Sequence, residues 1–160
     1  MCKKATIIGR GTAGTLAYLK LLNLRSNTDG PLEIEWYYDS STKAMAVGEG
    51  TTPKFPKSLY DVVGLSMGTD MHKLDARPKH GIEYENWGKS DFVHPFGMGY
   101  HGIHFNASKF QSYVFENCTD EPDVSLIDAH VSHDQIDSDV IVDCTGAPKT
   151  FEDYDIPKYI

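Results

Sequence analysis

The chain has 160 residues, 40% hydrophobic and 24% charged, with a net charge of −8. That length suits one domain with a core of its own and is short for two. The acidic balance excludes the basic surface that nucleic acid or an anionic membrane requires, and no apolar run is long enough to span a bilayer.

Residues 1–4 leave no room for a secretory leader before the first predicted strand. The three cysteines, Cys2, Cys118 and Cys144, are an odd number without C-x-x-C spacing. They suit a reducing compartment and offer neither a disulfide framework nor a zinc site, so a cytoplasmic protein is expected.

The first strand is predicted at residues 5–8, a short apolar run with β-branched members that reads as buried and parallel. It enters Gly9-Arg10-Gly11-Thr12-Ala13-Gly14, a G-x-G-x-x-G turn opening a helix. Each glycine has its own reason: Gly9 makes the tight turn, Gly11 admits a pyrophosphate to the backbone, and Gly14 lets helix and strand pack closely. The pattern alone is weak; strand before and helix after make it a dinucleotide-binding signal.

Ala13, Leu16, Ala17, Leu21 and Leu24 fall at helical spacing, with Leu22 beside them, and predict a helix ending near residues 23–26. A turn by composition follows at residues 27–31. The second strand is predicted at residues 32–38 and closes on Asp39. Such an acid can hold a ribose 2′-hydroxyl, although its distance from Gly9 exceeds the usual spacing; the extra length lies in helix and turn. Asp39 can equally be a turn or capping residue before Ser40-Ser41.

Val47-Gly48-Glu49-Gly50-Thr51-Thr52-Pro53 puts two glycines around one carboxylate, either backbone passing close to a ligand or a plain surface loop. A helix over residues 53–65 carries Phe55, Leu59, Val62 and Val63 on one side. Ile82, Tyr84 and Asn86 alternate with Glu83 and Glu85, so a strand leads away from Lys79; by composition alone that lysine reads as a solvated surface group. Residues 90–104 show no clear period. His101-x-x-His104 and His130-x-x-His133 lack a convincing helix and accompanying ligands, which favours structural histidines over metal. Asn106 is a candidate cap for a helix over residues 107–117. Strands are predicted at residues 124–127 and 140–143, the second a buried one entering Asp143-Cys144-Thr145-Gly146. The last residues are apolar enough to want burial and do not read as a finished terminus.

Taken in order, these motifs resemble the N-terminal part of the flavin-dependent tryptophan halogenase family. The family's G-G-G-T-A-G-like turn is similar to residues 9–14, with Arg10 in place of a glycine. Asp39-Ser40 resembles the close of its second strand, and Gly48-Glu49-Gly50-Thr51-Thr52-Pro53 resembles its flavin-contacting strap, G-E-[AG]-T-x-P. Lys79, Ile82, Tyr84, Asn86 and Trp87 fit the K-x-x-I-x-[FY]-x-N-W setting of its essential lysine. His104-Phe105-Asn106-Ala107 resembles H-F-D-A, with Asn106 replacing the acid, and Asp143-Cys144-Thr145-Gly146 matches D-C-[ST]-G.

The resemblance implies an α/β, Rossmann-like FAD/NAD(P)-binding fold with a parallel central sheet, incomplete at its end. Residues 1–160 would form a single FAD-binding domain, the N-terminal part of a longer halogenase. It implies FAD-binding residues Gly9, Gly11, Thr12, Ala13, Gly14, Asp39, Val47, Gly48, Glu49 and Gly50, a catalytic Lys79, and no metal. It further implies reduced FAD from a separate flavin reductase, oxygen and a halide as co-substrates, and hypohalous acid, formed through a flavin hydroperoxide, passing to the lysine. The substrate would be a small electron-rich aromatic, tryptophan or another indole. The missing half could come from a second chain, or the protein could be a homo-oligomer. The alternatives are a non-catalytic or truncated FAD-binding module and an ordinary flavoprotein monooxygenase.

Overall fold

The computed structural model describes residues 3–27, 30–42 and 48–146. Val47, Cys2 and the final residues 147–160, on which some of the expectations above fall, lie outside the described residues.

The centre is a four-stranded parallel sheet of β1 (Lys3–Ile8), β2 (Leu32–Tyr38), β8 (Val124–Asp128) and β9 (Val140–Asp143), in the order β8-β2-β1-β9. The helix α1 (Thr12–Ser26) connects β1 to β2. From β1 the chain moves one way to β2 and β8, and β9 then returns to the other side of β1. The order therefore reverses between β1 and β9, and such a switch point opens a crevice at the carboxyl ends of the strands.

The boundaries of β1, β2, α1 and β9 follow the sequence reading closely, but the buried face of α1 does not. The face predicted from Ala13, Leu16, Ala17, Leu21 and Leu24 is not the buried one: Gly14, Thr15, Tyr18, Leu19 and Leu22 are buried, and Leu16 and Leu24 are exposed. The cause is polar-tipped side chains that apolar counting passes over. Tyr18 stacks on Trp36 at 5.0 Å and its hydroxyl donates to the Cys118 carbonyl at 2.6 Å, while the Thr15 hydroxyl donates back to the Gly11 carbonyl at 3.0 Å. Burial without a partner would disfavour either residue there; with one, both fit.

Between β2 and β8 lies an insertion holding a second sheet. Its strands are β3 (Gly48–Gly50), β4 (Arg77–Lys79) and β7 (Gly102–Asn106), antiparallel in the order β3-β7-β4. A separate hairpin pairs β5 (Gly81–Tyr84) with β6 (Phe92–Pro95). The helices α2 (Lys54–Val63) and α3 (Ala107–Asn117) complete it, α2 stopped by Gly64 in the left-handed region at φ 70°. Asn106 caps α3 as expected, its side-chain oxygen accepting from the Lys109 amide at 3.1 Å. Here the sequence reading was least complete. Gly48–Gly50 of the strap is a strand, not a loop; residues 90–104 hold a strand and the start of β7; and Lys79 closes a strand of its own, β4, while the strand expected after it is β5, which stops at Tyr84.

The core is continuous across both sheets. Trp36 and Ile34 of β2 meet α1, while Ile103 and Phe105 of β7 meet α2 and α3 through Phe55 and Phe110. β9 was expected to be buried. Instead Val140 is 53% exposed, because among the described residues β9 has a strand neighbour on one side only.

Candidate functional site

The glycine turn occupies the switch-point crevice, and its three glycines divide into two kinds. Gly9 has φ 104°, and a Cβ there would lie 2.6 Å from the Cys144 carbonyl oxygen; at Gly14 a Cβ would lie 2.0 Å from the Gly9 carbonyl oxygen. These two are packing glycines. Trp36 fixes the turn from below, its indole N–H donating to the Gly9 carbonyl at 2.8 Å, and the Gly9 amide donates to Tyr37 at 2.9 Å. Gly11 differs. It is the N-cap of α1 in extended conformation, and a Cβ there would meet nothing within 4 Å.

No side chain caps α1 and no acid lies in its first turn. The leading amides of Thr12, Ala13 and Gly14 therefore keep the partial positive charge of an uncapped helix start. With the open space at Gly11, this cradle fits a pyrophosphate. Thr12 is held from α3, where the buried Gln111 donates to its hydroxyl at 3.0 Å.

Asp39 closes β2 at the other end of the motif. Its carboxylate accepts from the Ser41 amide at 2.9 Å, the Ser41 hydroxyl at 2.5 Å and the Thr42 hydroxyl at 3.1 Å. The Ser41 hydroxyl and amide, then Thr42, hold it below the usual carboxylate range. The turn role is thus directly visible. A carboxylate offers about four acceptor positions, so one more donor can still be met. A second acid, Asp128, stands beside it at the end of β8 and accepts from the Ser40 amide at 2.9 Å.

Asp143 and Cys144 close the crevice from β9. Asp143 accepts from the Thr145 amide and hydroxyl at 2.9 and 2.7 Å and pairs with His133 at 2.9 Å. Burial alone would raise this carboxyl; Thr145 and then His133 more than reverse that and hold it low. Burial, reinforced by Asp143, pushes the Cys144 thiol up. His133 is accordingly the hydrogen-bond partner of Asp143, and among the described residues no group of three His, Cys, Asp or Glu is arranged to hold a metal.

The second cluster lies on the second sheet. β7 is its middle strand, with Gly48, Glu49 and Gly50 opposite Asn106, Phe105 and His104, and Lys79 opposite Gly102 on the far side. Side chains alternate across a strand, so Ile103 and Phe105 go to the core while Gly50, His104, Arg77 and Lys79 share the other face. A Cβ at Gly50 would stand 3.1 Å from the His104 ring and 3.3 Å from the Lys79 ammonium. Strap and lysine are therefore neighbours. Lys79 is half-buried, its ammonium 5.8 Å from the centre of the Phe96 ring.

The two clusters are joined by β7 and α3, which run on without a break: Gly102 faces Lys79, His104 faces Gly50, and Gln111 reaches Thr12. Sequence reasoning missed Trp36, Gln111 and the placing of Gly50 beside the His104 ring and the Lys79 ammonium. Only the adjacency of His104 to Asn106, a recognisable cap, offered a signal for where β7 ends.

Comparison with known proteins bears on this arrangement. The profile of the family described as tryptophan halogenase matches residues 4–152. Curated protein sequences give no match. Among solved structures, a tryptophan halogenase from Shewanella frigidimarina is similar with a TM-score of 0.73 at 21% identity, over 91% of this chain and 43% of that one. A flavin-dependent halogenase from Brevundimonas gives 0.68 at 20% identity, over 90% and 42%. A tryptophan 6-halogenase from Streptomyces toxytricini gives 0.67 at 16% identity, again over 90% and 42%. The likeness at these identities is one of fold, and the chain spans less than half the length of each of these proteins.

Proposed function

Since this chain belongs to the tryptophan halogenase family, we propose that it is the flavin-binding part of a halogenase acting on an electron-rich aromatic ring, tryptophan or another indole. The remaining part of the fold comes from further chain or from a second subunit, and a separate flavin reductase supplies the reduced cofactor. FAD, when bound and reduced, supplies with oxygen and a halide the hypohalous acid that carries the oxidising power.

The chain's own residues divide the work. Gly9 and Gly14 shape the turn, and Gly11, Thr12 and Ala13 present amides to the pyrophosphate. Asp39 takes the adenosine ribose with its remaining acceptor capacity. Gly48, Glu49 and Gly50 form the strap along the flavin. Lys79 holds the electrophilic halogen, as hydrogen-bond donor or as haloamine, at a fixed place relative to the ring. Positioning of this kind can contribute about 7–11 kcal/mol in favourable cases.

The observation that carries the reading is the placing of Gly50 beside the Lys79 ammonium on one small sheet, where an added Cβ would lie 3.3 Å from it. It supports a design in which the cofactor strap and the reacting amine are fixed relative to each other through β7. The test is Lys79→Ala in the enzyme completed with the rest of the fold. Halogenated product, read by mass spectrometry, should vanish while flavin binding and oxygen consumption stay near the parent values. Lys79→Arg should fail as well, because a guanidinium remains protonated and does not form a comparable haloamine. A Lys79→Ala enzyme that keeps its product yield would overturn the assignment.

A further inference from the structure

Arg10, the residue between the first two motif glycines, is used by none of the roles above, yet it is held in place. Its guanidinium carbon lies 4.5 Å from the centre of the Phe115 ring and 5.1 Å from that of Tyr38. The two rings are 4.9 Å apart and meet at 78°, and Phe115 is in turn backed by Trp36 at 5.7 Å. The guanidinium thus sits in a corner built by β2 and α3. A planar group in such a corner can lie flat on only one ring. Arg10 is itself exposed, so the group also presents a surface to solvent.

The location gives this surface a meaning. Tyr38 immediately precedes Asp39, and the adenosine end of a dinucleotide lies at the close of the second strand, with the ribose on the acid. The base attached to that ribose comes next to the corner that Arg10 occupies. We propose that Arg10 is the adenine platform of this site: its guanidinium, backed by Phe115 and Tyr38, stacks against the purine of a bound adenine dinucleotide. The inference rests on the nucleotide-binding reading of the glycine turn.

The chemistry suits a neutral aromatic base. A guanidinium is planar, delocalised and weakly hydrated, and it stacks readily on π faces. An arginine near the ribose can instead serve a 2′-phosphate. Here, however, the Asp128 carboxylate lies within electrostatic reach of both Arg10 and Asp39, so the guanidinium is already countered and a further dianion is disfavoured. The corner therefore selects an unphosphorylated adenosine.

The experiment uses the 160-residue chain with ADP, 2′,5′-ADP and ribose 5-diphosphate as probes, binding being read by calorimetry. The parent should bind ADP more tightly than either comparator. Arg10→Ala should weaken ADP about ten-fold and leave ribose 5-diphosphate unchanged, a loss of the size a stacked cation gives. Arg10→Lys, which keeps the charge and loses the plane, should recover little of it. Equal losses for ADP and ribose 5-diphosphate would make Arg10 a phosphate contact and overturn the proposal, as would an unchanged ADP affinity or a preference for 2′,5′-ADP. No binding of ADP or ribose 5-diphosphate by the parent would instead bring down the nucleotide-site reading beneath it. Thermal melts of each variant separate a lost contact from a lost fold.

Discussion

Single atoms decide what each glycine of the turn is for. At Gly14 an added methyl would run into the Gly9 carbonyl at 2.0 Å, and backbone cannot move aside cheaply. Gly14→Ala should therefore destabilise the chain by about 1–3 kcal/mol, the usual cost of overpacking. Gly11→Ala meets nothing within 4 Å and keeps an ordinary backbone conformation, so its melting temperature should match the parent's. Its flavin affinity should nonetheless fall, because the methyl enters the space proposed above for the pyrophosphate. Thermal denaturation and FAD titration of the pair check this. A Gly11→Ala chain with parental FAD affinity would show that the phosphates do not lie there.

Asp143 allows a pH prediction of definite sign. Its pKa is depressed in the folded chain, chiefly by Thr145 against the opposing effect of burial. A group of that kind contributes stability above its unfolded pKa and loses it as pH falls through the folded value. The advantage of the parent over Asp143→Asn in urea melts should shrink as the pH falls below about 4, where free aspartate takes up its proton. An advantage that grows as the pH falls below about 4 would refute the assignment.

At the scale of elements, the informative unit is β7 with α3. It gives Lys79 and the strap a common middle strand and sends Gln111 to the glycine turn. Gly50→Ala tests this coupling. Its methyl would press on the His104 ring and the Lys79 ammonium at 3.1 and 3.3 Å, distances that flexible side chains can relieve by moving. The fold should survive, and in the completed enzyme halogenation should fall more than flavin binding does. Loss of both in equal measure would place Gly50 in the cofactor site alone.

Over the whole molecule, large apolar side chains stand in solvent on the β5–β6 hairpin and the segment after it. Trp87 is 68% exposed, Tyr100 67% and Met98 99%, with Phe92 and Val93 between them. On the central sheet β9 offers an open strand edge among the described residues. Exposed apolar area and unpaired edges both favour association. The 160-residue chain alone should show concentration-dependent association in sedimentation, relieved when the rest of the fold is supplied. A monomeric, sharply melting chain would mean that these surfaces need no cover.

The central sheet, the glycine turn, the acid closing β2 and the cap at Asn106 were legible in the sequence, because each is set by local chemistry: β-branched runs, turn glycines and an amide-capping side chain. The resemblance carried Lys79, which composition by itself reads as a surface charge. What the sequence left open has a common physical cause. The buried face of α1 turns on distant partners, the Cys118 carbonyl for Tyr18 and Trp36 for its ring, and no periodicity contains them. β7 does alternate, Ile103 and Phe105 facing the core and His104 and Asn106 the other side, but over five residues beside an irregular glycine- and aromatic-rich stretch the alternation is too short to stand out. That Gly50 comes beside Lys79, and that Arg10 rests on Phe115, depends on strands and helices far apart in sequence, so only the tertiary structure could decide it.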